Sequence, residues 1–425
     1  MKKITIVYAV AWVVAMAVLP FIPRTSFLPL CVVYATAFAA YMLICRPPNS
    51  GISKWILGLA IAGRAFTFLS PPQLSDDYYR FIWDARLTTL GEDPYLLTPE
   101  QRMTETPVFE DARVLFDNMN SPGYHSVYPP LLQYIWAAAL WISPAGIPAE
   151  VQGIRFFLFL AELGTLLLLP RLLKRWSLPP EGMCLYALNP LVISEICGNL
   201  HPEGAMIFFL VAAGTMFGNG RNVLSGIFFG LAILVKLIPL MFLPLLWKRL
   251  GSRVFFSWCM GIGITIAGGL FTMDVAALSH IAGSLSLYFT NFEFNSSVYA
   301  ALHPLALTLV AIDPIRWLAP LLACFSAIII IFIALRNHKA KSPIVPAGHS
   351  WMVYLLLGTT IHPWYLSGPV LLSCIVRQPV IIWWSGLVVL SYGYYDADTA
   401  DFPWRWIEYG GLAVCGILTF RKQHF

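Results

Sequence analysis

Apolar runs recur along the chain at about 4–21, 27–45 and 52–70, each close to the roughly 17–25 residues a helix needs to span a bilayer. A long polar stretch, 71–127, then intervenes with no spanning run. Residues 128–144, YPPLLQYIWAAALWISP, are apolar again, but short, proline-led and rich in Trp and Tyr. Such segments favour a membrane interface, so 128–144 is expected to lie in or dip into one leaflet without crossing. Further runs follow at about 153–172, 181–197, 204–219, 222–236, 237–247 and 254–273. A second polar loop covers about 274–298, and a short apolar piece, 299–312, ends at Asp313-Pro314. Runs at about 316–335, 349–361, 364–376, 379–394 and 405–420 complete the chain. Several are short or abut across Pro or Lys, the pattern of broken segments that line a cavity.

In hydrocarbon every backbone polar group must be satisfied within the structure, so runs of this length predict helices and no open sheet. Composition agrees: 58% of residues are hydrophobic and 12% charged, against about 25% charged in soluble domains. The expectation is one all-α polytopic membrane domain over 1–425. The start, MKKITIVYAVAWVVAMAVLPF, could be a signal peptide, but it lacks a small-x-small site before Pro20 and Pro23, so it is read as the first span. The eight cysteines are scattered through apolar runs with no CxxC, which suits small core residues rather than a disulfide or zinc framework.

Charge sets the orientation, because Lys and Arg collect in short cytoplasmic loops. With Lys2 and Lys3 inside, alternation gathers Arg46, Lys54, Arg171, Lys174, Arg175, Arg221, Lys248, Arg249, Arg253, Arg336, Lys339, Lys341, Arg377, Arg421 and Lys422 at inner ends. Counting 128–144 as a crossing would invert everything downstream. The rule therefore yields about 14 transmembrane helices with both termini in the cytoplasm. It also puts 71–127, 274–298, His362-Pro363-Trp364 and Tyr394–Asp401 on the extracytoplasmic face, in a cell's inner (plasma) membrane. The net charge of +5 is then loop charge, and no nucleic-acid partner is implied.

The distinctive polar motifs share that outer face. Ser75–Arg86 holds Asp76, Asp77, Asp84, Arg80 and Arg86 among Tyr78, Tyr79 and Trp83. Helical spacing places Asp77 beside Arg80 and Arg80 beside Asp84. A carboxylate next to Arg stays ionised, as a general base must, and Arg80 and Arg86 are natural phosphate clamps. The alternative is a solvated loop with surface ion pairs. Glu195 and Gly198-Asn199-Leu200-His201-Pro202-Glu203 form a second polar turn. It reads equally as a capped turn or as a cavity lining, and His201 with Glu203 is too small a set to require a metal. Lys236 interrupts GLAILVKLIPL with no obvious partner in sequence. An ionised Lys there costs about 3 kcal/mol on insertion scales, so it calls for a partner, a lipid phosphate, or snorkelling to the interface. Asn295, His362, Trp364 and Tyr365 lie in two further turns whose rings and hydrogen-bonding groups suit a sugar or an interfacial belt.

The run D-D-Y-Y-x-F-x-W-D-A-R…G-x-x-P-Y at 76–95 resembles the GT-C superfamily of polyprenyl-phosphate-sugar-dependent glycosyltransferases, and most of all the bacterial mannosyltransferase-like members of glycosyltransferase family 87. Tyr128-Pro129-Pro130-Leu131, the Asn189-Pro190 to His201 stretch, Lys236, Phe294–Ser297 and His362–Tyr365 follow in family-like order, so the resemblance covers about 70–400. It implies a large first outer loop bearing a catalytic Asp, with phosphate contacts from an Arg three residues on and a Lys at a later short-helix junction. Residue by residue, that means Asp77 as base with Asp76 as runner-up, and Arg80 and Lys236 on the donor phosphate. Tyr78, Trp83, Asn199, His201, Glu203, Asn295, His362, Trp364 and Tyr365 become candidates for the sugar or acceptor. Three apolar runs precede the loop here, where family members often have one. The implied reaction is inverting transfer of a hexose, mannose above all, from a polyprenyl phosphate to a lipid or glycan acceptor. It requires no cofactor and leaves a divalent ion possible. The alternative is a secondary transporter or lipid flippase, which needs ionisable groups near the bilayer centre such as Arg64, Glu162 and Glu195.

Overall fold

Helices answer the demand that lipid makes on the backbone, and the computed structural model describes them over residues 3–46, 54–104, 109–247, 249–310, 312–337, 344–376 and 378–424. Of the inner-end cations named above, Lys2, Lys248, Lys339, Lys341 and Arg377 lie outside the described residues. The first three apolar runs are the helices Lys3–Val18, Phe27–Ile44 and Lys54–Phe66. The polar stretch after them contains the helices Asp77–Thr89, Pro99–Thr104 and Ala112–Asn118. Five described helices are long and apolar enough to cross a membrane: Ile4–Phe21, Phe27–Ile44, Ile147–Arg175, Ser252–Phe271 and Pro314–Arg336. A sixth span arises if the bent pair Pro190–Gly198 and Glu203–Gly218, which turns by 113°, counts as one. The expectation of about 14 crossings needs shorter apolar helices, such as Asn222–Val235 and Ile344–Leu357, to count as well.

Two stretches read from polarity have definite shapes. Residues 130–141 form one helix, Pro130–Trp141, about 18 Å long against the roughly 30 Å of a hydrocarbon core. It packs against Asp77–Thr89 and Ile147–Arg175, burying Trp136 while Trp141 stays exposed. Most of 274–298 is also helical, as Val275–Asn291, with the Asp274 carboxylate accepting from the Ala276 N–H at 2.7 Å.

Inside the bundle, a buried cation is matched by a buried anion. The Arg64 guanidinium donates to Glu162 Oε2 at 3.0 and 2.7 Å and to the carbonyls of Ala60 and Ala187, while the Tyr186 hydroxyl donates to Glu162 Oε1. Both charged side chains are fully buried, and each satisfies the other. The pair thus joins Lys54–Phe66 to Ile147–Arg175 and leaves neither group free to serve a transport path.

Where side chains are small, backbones close in. A Cβ on Gly226 would lie 2.0 Å from the Trp258 carbonyl, and one on Gly261 would lie 2.1 Å from the Val223 carbonyl. Gly226 and Gly230 thus face Gly261 and Thr265 across Asn222–Val235 and Ser252–Phe271, the small-xxx-small packing that membrane helices use in place of a hydrophobic driving force. Gly261→Leu should therefore cost about 3 kcal/mol or more through overpacking. Gly263→Leu, on the same helix with open space at its Cβ, should cost little. Thermal unfolding of both variants in one detergent checks the difference.

Candidate functional site

Asp76 and Asp77 open the helix Asp77–Thr89, where an acid in the first turn complements the helix dipole. Their partners differ. Asp76 is ion-paired to Arg24, whose guanidinium also lies over the Tyr395 ring at 4.3 Å. Asp77 accepts from the Asn120 amide at 2.8 Å. It is half-buried in a crowded neighbourhood that includes Lys236 and Glu203. That crowding raises its pKa first of all. Asn120 and then Lys236 pull it down, while Glu203 and Asp76 push it up, and the result is about 6.

The bent helix pair presents the second half of the site. Its corner is held by Leu200 at φ 66, a left-handed conformation that a bulky residue adopts only where its surroundings compel it. Asn199 provides part of that compulsion: its Nδ2 donates to the Ser194 carbonyl, and its Oδ1 accepts the Leu74 N–H at 2.9 Å. Asn199 thereby fastens the turn to the segment just before Asp76. Glu203 begins the second limb, is buried, and is ion-paired to Lys236. So Lys236 is not the unpartnered cation that its sequence context suggests. It bonds to Glu203 Oε1 and lies 4.5 Å over the Tyr365 ring, leaving Glu203 Oε2 buried without a partner.

Four rings stack in a column beside that pair. His201 lies on Trp364 at 3.7 Å, Trp364 on His362 at 4.3 Å, and His362 on Phe294 at 4.7 Å, with interplanar angles of 15°, 3° and 22°. A backbone clip fixes the last pair: Phe294 N–H donates to the Thr359 carbonyl at 3.0 Å, and Ile361 N–H to the Phe294 carbonyl at 2.8 Å. Asn295, at φ 49, turns its amide inward to donate to the buried Glu408, which also accepts from the Trp384 indole. His201 Nε2 and His362 Nδ1 are buried without hydrogen-bond partners; Glu195 Oε2 lies 3.5 Å from the former.

The sequence-predicted residues thus divide. Asp76, Asp77, His201, Glu203, Lys236, His362, Trp364 and Tyr365 converge, with Asn199 and Asn295 holding their turns. Arg80 is not the partner of Asp77. Its Nε donates to Asp84 at 2.8 Å and its Nη1 to the carbonyls of Ser121 and Tyr124, leaving Nη2 without a partner. Arg86 is occupied by Asp111 and Glu150, an arrangement that braces the loop and removes it from the phosphate candidates. Trp83 is 1% exposed and packs edge-on to Phe109, so it is core rather than a sugar platform. Tyr78 is buried against Tyr79, with ring centres 4.1 Å apart. Arg24, Asn120, Tyr395 and Glu408 belong to the constellation but carry no local motif that marks them.

Comparison with known proteins gives this geometry a context. Residues 7–250, more than half of the chain, match the family described as alpha-(1->6)-mannopyranosyltransferase, N-terminal domain. The chain is also similar to alpha-(1->6)-mannopyranosyltransferase A of Mycobacterium tuberculosis, at 22% identity over 376 residues, covering 82% of this chain and 71% of that protein.

The Asp77 environment makes a direct prediction. Its carboxyl should titrate near pH 6, seen as an infrared carboxyl band that Asp77→Asn abolishes. Asn120 bonds to the ionised form, so Asn120→Ala should move that midpoint upward. A midpoint unchanged or lowered in Asn120→Ala would contradict the bond.

Proposed function

Because the chain belongs to the alpha-(1->6)-mannopyranosyltransferase family, GT-C-type mannosyltransferases, we propose that it moves mannose from a polyprenyl phosphate to a hydroxyl of a glycan or glycolipid acceptor, with inversion, at the extracytoplasmic face of the inner membrane. The observation that carries this reading is the proximity of Asp77 to Lys236, whose charge lowers its pKa, the one a carboxylate with a pKa of about 6 and the other a cation at the break between two apolar helices. Asp77 takes the proton of the acceptor hydroxyl. The hydroxyl oxygen bonds to the anomeric carbon from the face opposite the phosphate, and the bond from that carbon to the phosphate oxygen breaks. The polyprenyl phosphate departs with the electron pair, its charge met by Lys236 and by the free Nη2 of Arg80. Each proton and charge in this sequence is handled by a side chain of this protein. The edges of His201 and His362, with the free oxygen of Glu203, would hold the sugar hydroxyls.

A pKa of about 6 suits the base role, since Asp77 is ionised at neutral pH yet keeps useful proton affinity. Asp76, tied to Arg24, is the weaker candidate, and breaking that pair would cost structure as well. The relative's name suggests that the acceptor hydroxyl is a primary 6-hydroxyl.

Transfer from polyprenyl-phosphate mannose to a mannan oligosaccharide should follow a rate that falls as pH drops through about 6. Asp77→Asn should insert and bind donor but lose turnover by about 10²–10⁴-fold, and Asp76→Asn should lose less. The reverse order would move the base to Asp76; full activity in both would remove the loop from the chemistry. Lys236→Ala alone would strand the buried Glu203, so the donor contact is tested in a Glu203→Gln background. There the added Lys236→Ala should raise the donor KM about tenfold, and an unchanged donor KM would return Lys236 to a structural role. A cysteine placed at Glu110 should react with an impermeant reagent only from outside; labelling only from the cytoplasm would overturn the proposed face.

A further inference from the structure

The segment 120–125 has two faces. One holds the base: Asn120 donates to Asp77, and Arg80 grips the carbonyls of Ser121 and Tyr124 at 3.1 and 2.9 Å. The other lines a groove of about 710 Å³, within the roughly 300–1,000 Å³ of ligand sites. Gly123, Tyr124 and His125 form that side, and Glu100 is pinned to it by its N–H on the Pro122 carbonyl at 3.0 Å. The helix Val275–Asn291 forms the opposite side through Ser279, His280, Ser284 and Ser286. The groove lies across segment 120–125 from Asp77, and the chemistry proposed at Asp77 does not draw on it.

We propose that this groove seats the acceptor glycan, as a neutral polyol; the inference rests on the mannosyltransferase reading and names the place its second substrate occupies. Hydroxyls, the Gln101 amide and two imidazoles supply donors and acceptors in the mixture that sugar hydroxyls require. The His125 and His280 rings stack at 4.0 Å, and His280 Nδ1 is engaged by the Tyr95 carbonyl at 2.9 Å. His125 Nδ1 is buried with no partner, a polar atom awaiting one. None of the described lining residues is Lys or Arg, and Glu100 would repel a phosphate. The cations stand on the far side of the wall, at Arg80 and Lys236. The charge division therefore sorts the substrates, with the anionic carrier beside Arg80 and Lys236 and the body of the uncharged acceptor along the groove, its reacting end reaching past 120–125 to Asp77.

Gly283 lies on the helical side of the groove, with open space where its Cβ would be, so Gly283→Trp fills the groove without straining the helix. The full-length protein in detergent is given α-1,6-linked mannotriose, and binding is read by saturation-transfer NMR. Transfer kinetics are measured with polyprenyl-phosphate mannose. The proposal expects Gly283→Trp to abolish the mannotriose signal and raise the acceptor KM at least about tenfold. Donor KM and the slow hydrolysis of donor by water should stay unchanged. Gly268→Trp, equally open but outside the groove, should bind mannotriose like the parent and controls for general damage. Mannotriose binding by Gly283→Trp at the parent's strength overturns the assignment. A parent that binds mannotriose in the groove but uses no polyprenyl-phosphate mannose would sink the donor reading and keep the groove. Normal transfer with acceptor KM untouched in Gly283→Trp would do the opposite.

Discussion

A chain with so few charges can leave few ions unmatched in its interior, and most of the buried cations among the described residues are answered by a carboxylate; Arg155 is held instead by the carbonyls of Cys197 and Gly198 and the Gln152 amide oxygen. Arg64 has Glu162, Arg80 has Asp84, Arg86 has Glu150 and Asp111, and Lys236 has Glu203. All but Arg80–Asp84, which lies within one helix, join different segments, so neutralising charge also assembles the fold. Three carboxylates depart from the pattern. Asp77, Glu195 and Glu408 accept from Asn120, from Tyr392, and from Asn295 with Trp384. Neutral donors orient a carboxylate while lowering its proton affinity less than a full ion pair does.

Much of the site could be read from order along the chain. The double acid, the Asn199–Glu203 turn, Lys236 and His362–Tyr365 stand out because polar residues in an apolar chain have few reasons to be there. The helix count was less legible. Pattern alone cannot say whether a run of ten to seventeen apolar residues crosses, and among the described residues six apolar helices are of that length. Spacing also misassigned partners within the helix Asp77–Thr89. Both Asp77 and Asp84 are within reach of Arg80, and the buried Gln133, which also bonds Asp84, shows which side packs inward. Arg24 and Asn120 were invisible for a simpler reason: each reaches its acid from some 43–52 residues away, across turns that periodicity does not describe.

The aromatic column shows how rigidity is supplied where helices break. At the Leu200 corner and around Phe294–Asn295 the backbone leaves helical geometry, and regular hydrogen bonding no longer fixes side-chain positions. Stacked rings, the clip to Thr359–Ile361 and the amide of Asn199 take over that task. Polar atoms can then be held at set angles while the surrounding helices remain ordinary apolar rods.

The two-faced segment 120–125 has a consequence for how such a protein can diverge. A mutation in it is pleiotropic, because the same few residues steer Asp77 on one side and bound the groove on the other. The helix Val275–Asn291 carries no such double duty toward Asp77. A lineage built on this scaffold can therefore explore new partners through that helix while its chemistry stays under purifying selection, so variation should concentrate on one bank of the groove and constancy on the other.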